Sequence, residues 1–148
     1  MSDSFAVTIF HNPACGTSRN TLALIRHAGI EPTIVEYLRN PPDAATLGSW
    51  LQAMGTGARA LLREKEKDWE NLLAASGKAV EAWTETELVM AMTTHPVLLN
   101  RPVVVTPWGI KLCRPSEGVL DILPLSQPRP FAKEDGEVVI DAAGSRVR

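Results

Sequence analysis

The stretch FAVTIFHNPACGTSRNTLALIRHAGIEPTIVEYL, residues 5–38, decides the fold. FAVTIF at 5–10 is rich in β-branched and aromatic residues and runs into the turn-forming HNPACG, so it reads as a strand followed by a loop. TSRNTLALIRHAG then puts Leu22, Ile25 and Ala28 on one stripe of a helix that Gly29 stops. TIVEYL at 33–38 is the next strand. Strand, loop, helix and strand in this order make a βαβ unit, whose crossover is right-handed, and a parallel sheet begins here.

Working outward, NPPD at 40–43 is a break with Asp43 placed to cap, and Leu47, Trp50, Leu51 and Met54 keep helical spacing up to Gly55. From there to His95 the pattern stays helical: ARALLR, then WENLLAAS, then TETELVMAM, which opens with Thr84 and Glu87 in capping-box spacing. NRPVVVTPWGIKLC switches to β character, with PVVV and IKLC flanking Pro107 and Gly109 as an antiparallel hairpin. PSEGVLDIL supplies a final packed helix with Pro115 near its first position. The stretch from Leu125 to Arg148, broken by Pro128, Pro130 and Gly136, reads as a polar tail with room for one or two helical turns. The expected architecture is α/β: one thioredoxin-like three-layer domain over 1–148, with a mixed four-stranded sheet, an all-helical insertion at about 43–95 and a polar tail at about 125–148. Alternation of this kind also fits other small α/β folds.

Length and composition agree with one soluble core: 148 residues, 45% apolar and 22% charged. Fifteen Lys and Arg against seventeen Asp and Glu give a net charge of -2, which argues against nucleic acid or an anionic membrane as partner. No basic leader and no run of about 18 apolar residues occurs, so a cytoplasmic location is expected. Two cysteines without CxxC spacing and three scattered histidines fit neither a disulfide scaffold nor a zinc template, so no metal is expected.

Cys15 lies in the loop that leads from the first strand into the first helix. A thiol there faces unpaired backbone N–H groups and the positive helix end, and both favour the thiolate. Gly16 allows close backbone approach, Thr17 and Ser18 add hydroxyl donors and Arg19 adds charge, so a tetrahedral oxyanion could be cradled beside the sulfur. The plain alternative is a buried structural cysteine in a turn. The third position after Cys15 is Ser18, which excludes a dithiol motif, and the sixth is Thr21, which excludes the CxxxxxR phosphatase loop. His11 either assists the thiolate, directly or through Ser18, or merely caps or meets solvent.

An oxyanion calls for guanidinium groups, whose planar forks donate paired hydrogen bonds and keep their charge. Arg63, Arg101 and Arg114 are the candidates because each stands beside apolar or turn sequence. Taken alone, an arginine is usually a solvated surface residue, and without a family pattern that reading leads for each. Arg101 precedes Pro102, a position where such a sheet often carries a cis bond facing the active-site loop. His27 and His95 fall in C-terminal helix turns and read as dipole partners. Cys113, at an apolar strand end, reads as an inert structural thiol in preference to a resolving one.

HNPACGTSRNTLALIR at 11–26, EPTIVEYLRNPP at 31–42, ARALLR at 58–63, HPVLLNRPVVVTPWGIKLCRPSE at 95–117 and AKEDGEVV at 132–139 together resemble the glutathione- and glutaredoxin-dependent arsenate reductases of bacterial arsenic resistance. The resemblance covers nearly the whole chain. It implies a thioredoxin-like fold, Cys15 as nucleophile, an arginine triad of Arg63, Arg101 and Arg114 around arsenate, and His11 tuning the thiol with Ser18 as intermediary. It further implies glutathione as reducing cosubstrate, glutaredoxin as protein partner, a covalent cysteinyl-arsenate intermediate and no tightly bound cofactor. A monomer is the default expectation. EKEKDWENLLAASGKAVEAW at 64–83 departs from the family in being longer and more charged, and its local structure is left open. Two other readings stand beside this one. A thioredoxin-like regulatory protein would commonly carry CxxC and need no arginines, and a monothiol glutathione-linked oxidoreductase would use Cys15 without selecting oxyanions.

Overall fold

The computed structural model describes residues 5–124 and 129–147. By contact density the chain divides into two compact units, Met1–Glu36 with Arg101–Arg148, and Tyr37–Asn100.

The first unit is built on a four-stranded sheet of order β2-β1-β3-β4, from β1 (Thr8–His11), β2 (Thr33–Glu36), β3 (Val103–Thr106) and β4 (Gly109–Leu112). β1 pairs parallel to β2, with Ile9 opposite Ile34, and antiparallel to β3, with Ile9 opposite Val104. β3 and β4 form the hairpin expected around Pro107. The sheet is therefore mixed. Alternation along β1 turns Ile9 and His11 inward, and Val7 just before it is buried too. Helix α1 (Gly16–His27) joins β1 to β2 and buries Leu24 and Ile25 in a core shared with Ile9, Val104, Cys113, Val119 and Ile122.

One expectation for this unit gains detail and one needs correction. The packed helix expected after the hairpin is the 3-10 helix Ser116–Ile122, with Pro115 as its N-cap residue, next to the first helical position. Ser116, Val119 and Ile122 are all buried, and their spacing of three matches the three residues per turn of a 3-10 helix. The tail carries a hairpin where helical turns were expected: β5 (Phe131–Ala132) pairs antiparallel with β6 (Val138–Ile140). The β-branched run Val138, Val139, Ile140 favours a strand, and Gly136 at φ +93° makes the turn. Val139 and Ile140 are each 2% exposed and belong to the core, so this segment completes the unit. Residues 125–128 and 148 of the expected tail lie outside the described residues.

The second unit is helical, with α2 (Ala44–Met54), α3 (Lys67–Ser76) and α4 (Glu85–Thr94) separated by 3-10 turns at Ala58–Leu61 and Val80–Ala82 and followed by another at Pro96–Leu98. Asp43 caps α2 by accepting the Thr46 amide at 2.8 Å, and Gly55 ends it in the left-handed region. Thr84 and Glu87 form the expected capping box at the start of α4. The charged segment 64–83 contains α3, whose Trp69 is 2% exposed and lies 4.9 Å from the Trp83 ring. Leu62 and Leu99 form a bridge, and the amides of Arg63 and Asn100 donate to the carbonyls of Leu98 and Leu61 at 2.7 Å each.

If the C-terminal hairpin is core, Ile140→Ala should lower unfolding stability by about 3 kcal/mol in urea titration. A dispensable polar tail would lose almost nothing.

Candidate active site

Cys15 is the N-cap residue of α1, in extended conformation. Its amide donates to the Asn12 carbonyl at 3.0 Å, its carbonyl accepts the Arg19 amide at 3.0 Å, and Asn12 Oδ1 accepts the Ala14 amide at 3.0 Å. The loop is thus a tight turn knotted by its own asparagine. The N-cap thiol accepts no hydrogen bond from the first turn of the helix, and that turn carries no acidic residue. These first amides have no carbonyl partner within the helix and present a positive end beside the sulfur.

Cys15 is 9% exposed, and a guanidinium reaches its sulfur: Arg114 Nη1 lies 3.7 Å from Cys15 Sγ. The same nitrogen donates to the Arg101 carbonyl at 3.0 Å. Arg101 precedes β3 and Arg114 follows β4, so antiparallel pairing brings them to one end of the sheet, where the Cys113 amide donates to the Pro102 carbonyl at 2.9 Å. The Arg101–Pro102 bond is cis, as expected, and so is Arg114–Pro115.

His11 and Ser18 are both buried and meet directly, with Nδ1 and Oγ 2.6 Å apart. Ser18 Oγ also accepts the Asn12 amide at 3.1 Å, which ties the pair to the turn below the thiol. Burial pushes the His11 imidazole below its ordinary value, Glu36 on the neighbouring strand opposes this, and Arg26 and Arg19 add to it. Thr17 is half-buried at the head of α1, and its carbonyl accepts from Thr21. A Cβ on Gly16 would meet Arg19 Nη2 at 3.6 Å and Glu134 Oε1 at 3.9 Å, ordinary contacts, so the fold alone does not demand glycine there.

One residue expected to add charge beside the sulfur is engaged elsewhere, and one lies in the other unit. Arg19 is turned away from an anion role: Nε and Nη2 grip the Glu134 carboxylate at 2.8 and 3.0 Å, and Nη1 donates to the Pro13 carbonyl at 2.9 Å. Arg63 belongs to the second unit, half-buried, with Nε on Glu66 Oε1 at 2.5 Å. Sequence reasoning missed Glu134, because 115 positions separate it from Arg19 and no local pattern marks it. Cys113 is fully buried, its sulfur 3.6 Å from the Lys111 carbonyl, and burial pushes its thiol up to about 12. Among the described residues, no group of three or more His, Cys, Asp or Glu could hold a metal ion, and no helix is long and apolar enough to cross a membrane.

The His11 shift has a sign that can be checked. A buried imidazole held below 6.5 is neutral in the folded protein, so as pH falls through that value the unfolded chain takes the proton first and stability drops. Unfolding free energy should therefore fall between roughly pH 7 and 5 more steeply in wild type than in His11→Gln. Equal slopes would mean that His11 is not held neutral.

Comparison with known proteins shows the family. The arsenate reductase of Rhizobium meliloti (strain 1021) is 56% identical over 141 residues, covering 95% of this chain and 98% of the relative. That of Escherichia coli is 53% identical over 142 residues, covering 96% and 98%. The solved arsenate reductase of Vibrio cholerae superposes with a TM-score of 0.73 at 38% identity, covering 80% of this chain and 98% of that one. The model of the ArsC family matches residues 10–122, which span the cysteine loop, the helical unit and both arginine-bearing strand ends, and the chain belongs to that family.

Proposed function

We propose that this protein is an arsenate reductase, with Cys15 as nucleophile. The observation that carries the reading is the 3.7 Å approach of the Arg114 guanidinium to the Cys15 sulfur at the head of α1. A sulfur beside a cation and a helix N-terminus suits a reaction in which a thiolate attacks a bound oxyanion. Arg101 and Arg114 supply guanidinium groups on the first unit, and Arg63 enters as the third through the family resemblance, both units working as one domain. Gly16 and Thr17 border the substrate. His11 acts on the thiol through Ser18, to which its ring is bonded.

In this reading the Cys15 thiolate attacks pentavalent arsenic and a protonated oxygen leaves as water, giving a covalent cysteinyl arsenate. The arginines hold the charged oxygens throughout. Glutathione then adds to arsenic with loss of a second water. The two sulfurs leave as a Cys15–glutathione disulfide, and their two electrons reduce arsenic to arsenite. Glutaredoxin removes the glutathione by thiol–disulfide exchange and regenerates Cys15. Arsenate, glutathione and glutaredoxin are thus the partners, with no tightly bound cofactor, in a monomer working in a reducing cytoplasm. Against an internal disulfide stands Cys113, buried and poorly ionised.

The test is arsenate-dependent NADPH consumption with glutathione, glutaredoxin and glutathione reductase present. Wild type and Cys113→Ser should turn over, and Cys15→Ser should be dead. Arg101→Lys and Arg114→Lys, which keep charge but lose the fork, should each lower kcat/KM by about tenfold or more with unchanged circular dichroism. Mass spectrometry after a single turnover should find glutathione on Cys15, whereas a Cys15–Cys113 disulfide would overturn the glutathione route.

A further inference from the structure

The turn of the C-terminal hairpin reaches two segments that bear the proposed chemistry. It is internally braced: the Lys133 amide donates to the Glu137 carbonyl at 2.8 Å, the Gly136 amide to the Lys133 carbonyl at 2.9 Å, and the Glu137 amide to Asp135 Oδ1 at 2.9 Å. From this turn Glu134 holds Arg19 through both carboxylate oxygens, while its own amide donates to Asn20 Oδ1 at 3.0 Å. The adjacent Lys133 points the other way and pairs with Glu117 at 2.8 Å, its side chain only 11% exposed. Farther along the chain, Arg146 pairs with Asp121 at 2.8 Å and donates to the Glu117 carbonyl at 3.0 Å.

Stability does not account for the Arg19–Glu134 pair. Its side chains are 43% and 51% exposed, and a pair so open to water contributes little. Geometry accounts for more. Arg19 spends its remaining contact on the Pro13 carbonyl, inside the turn that aims Cys15, and its own amide is bonded to the Cys15 carbonyl. The ion pair also lies against Gly16, the residue after the thiol. Glu117 stands three residues beyond Arg114 in the 3-10 helix that follows it. Only a planar fork can take a carboxylate along one edge and a carbonyl with the remaining nitrogen, so lysine could not replace Arg19.

We infer that the Lys133–Glu137 turn is a clamp: Glu134, acting through Arg19, holds the Cys15 loop, while Lys133, acting through Glu117, holds the segment of Arg114, and together they set the distance between the Cys15 sulfur and the Arg114 guanidinium. Arg19, Lys133 and Glu134 are positioning residues, and the inference rests on Cys15 being the nucleophile. Misplacing a reacting sulfur lowers the rate of attack more than the binding of substrate.

The experiment compares Glu134→Gln, Arg19→Lys, Lys133→Met and the Arg19→Lys/Glu134→Gln double variant. It reads kcat, arsenate KM, circular dichroism and the rate at which iodoacetamide alkylates Cys15 without arsenate, in a Cys113→Ser background. Each single variant should lower kcat about tenfold, leave KM within about twofold and change the alkylation rate severalfold at unchanged helicity. The double variant should be no worse than the worse single. Folded Glu134→Gln and Arg19→Lys proteins with wild-type kcat and alkylation rates would overturn the clamp, as would a loss that merely follows the folded fraction. Alkylation needs no arsenate, so a changed rate in Glu134→Gln supports the clamp even if wild type fails to reduce arsenate, an outcome that would instead sink the functional reading.

Discussion

The hydrogen bond from the Cys15 amide to the Asn12 carbonyl is the constraint on which the site depends. It closes a turn between the last residue of a buried strand and the first turn of a helix. A sulfur at the junction is thereby held at a positive helix end without leaving the protein surface altogether. Shifting the start of α1 by one residue would turn the thiol by about 100° around the helix axis, away from Arg114. The His11–Ser18 pair is tied to the same turn, because Ser18 Oγ also receives the Asn12 amide.

The two arginines around this junction meet different partners. Arg19, the cation nearest in sequence, is neutralised by Glu134 and bound to backbone. The cation that reaches the sulfur comes from the far end of a hairpin, 99 residues on. A guanidinium brought in on a separate strand end is held by sheet pairing, so its approach does not depend on the torsions of the cysteine loop itself.

The C-terminal segment illustrates how composition misleads. Its prolines, glycines and charges read as a tail, yet Val139 and Ile140 are buried about as deeply as Ile9 of β1 and Val104 of β3. Its charges are the other half of pairs on α1 and the 3-10 helix: Glu134 with Arg19, Lys133 with Glu117, Arg146 with Asp121. A segment with three charged residues paired to partners elsewhere in the chain looks polar only while those partners are unknown.

Much of this was legible in the sequence because it is local. The βαβ opening, the Asp43 cap, the Thr84–Glu87 capping box, the Pro107 hairpin and the place of Cys15 before a helix follow from period, turn chemistry and caps, which act over a few residues. Cys113 as a buried thiol was legible for the same reason. The 3-10 form of Ser116–Ile122 left a three-residue burial period that could have been read, and the run Val138, Val139, Ile140 was a strand signal outweighed by its polar surroundings. What only the tertiary structure decided was which charge meets which. Arg114 rather than Arg19 faces the sulfur, and Glu134 rather than an anion takes Arg19. Ion pairing has no period along the chain, and its partners are chosen by where strands and turns end in space.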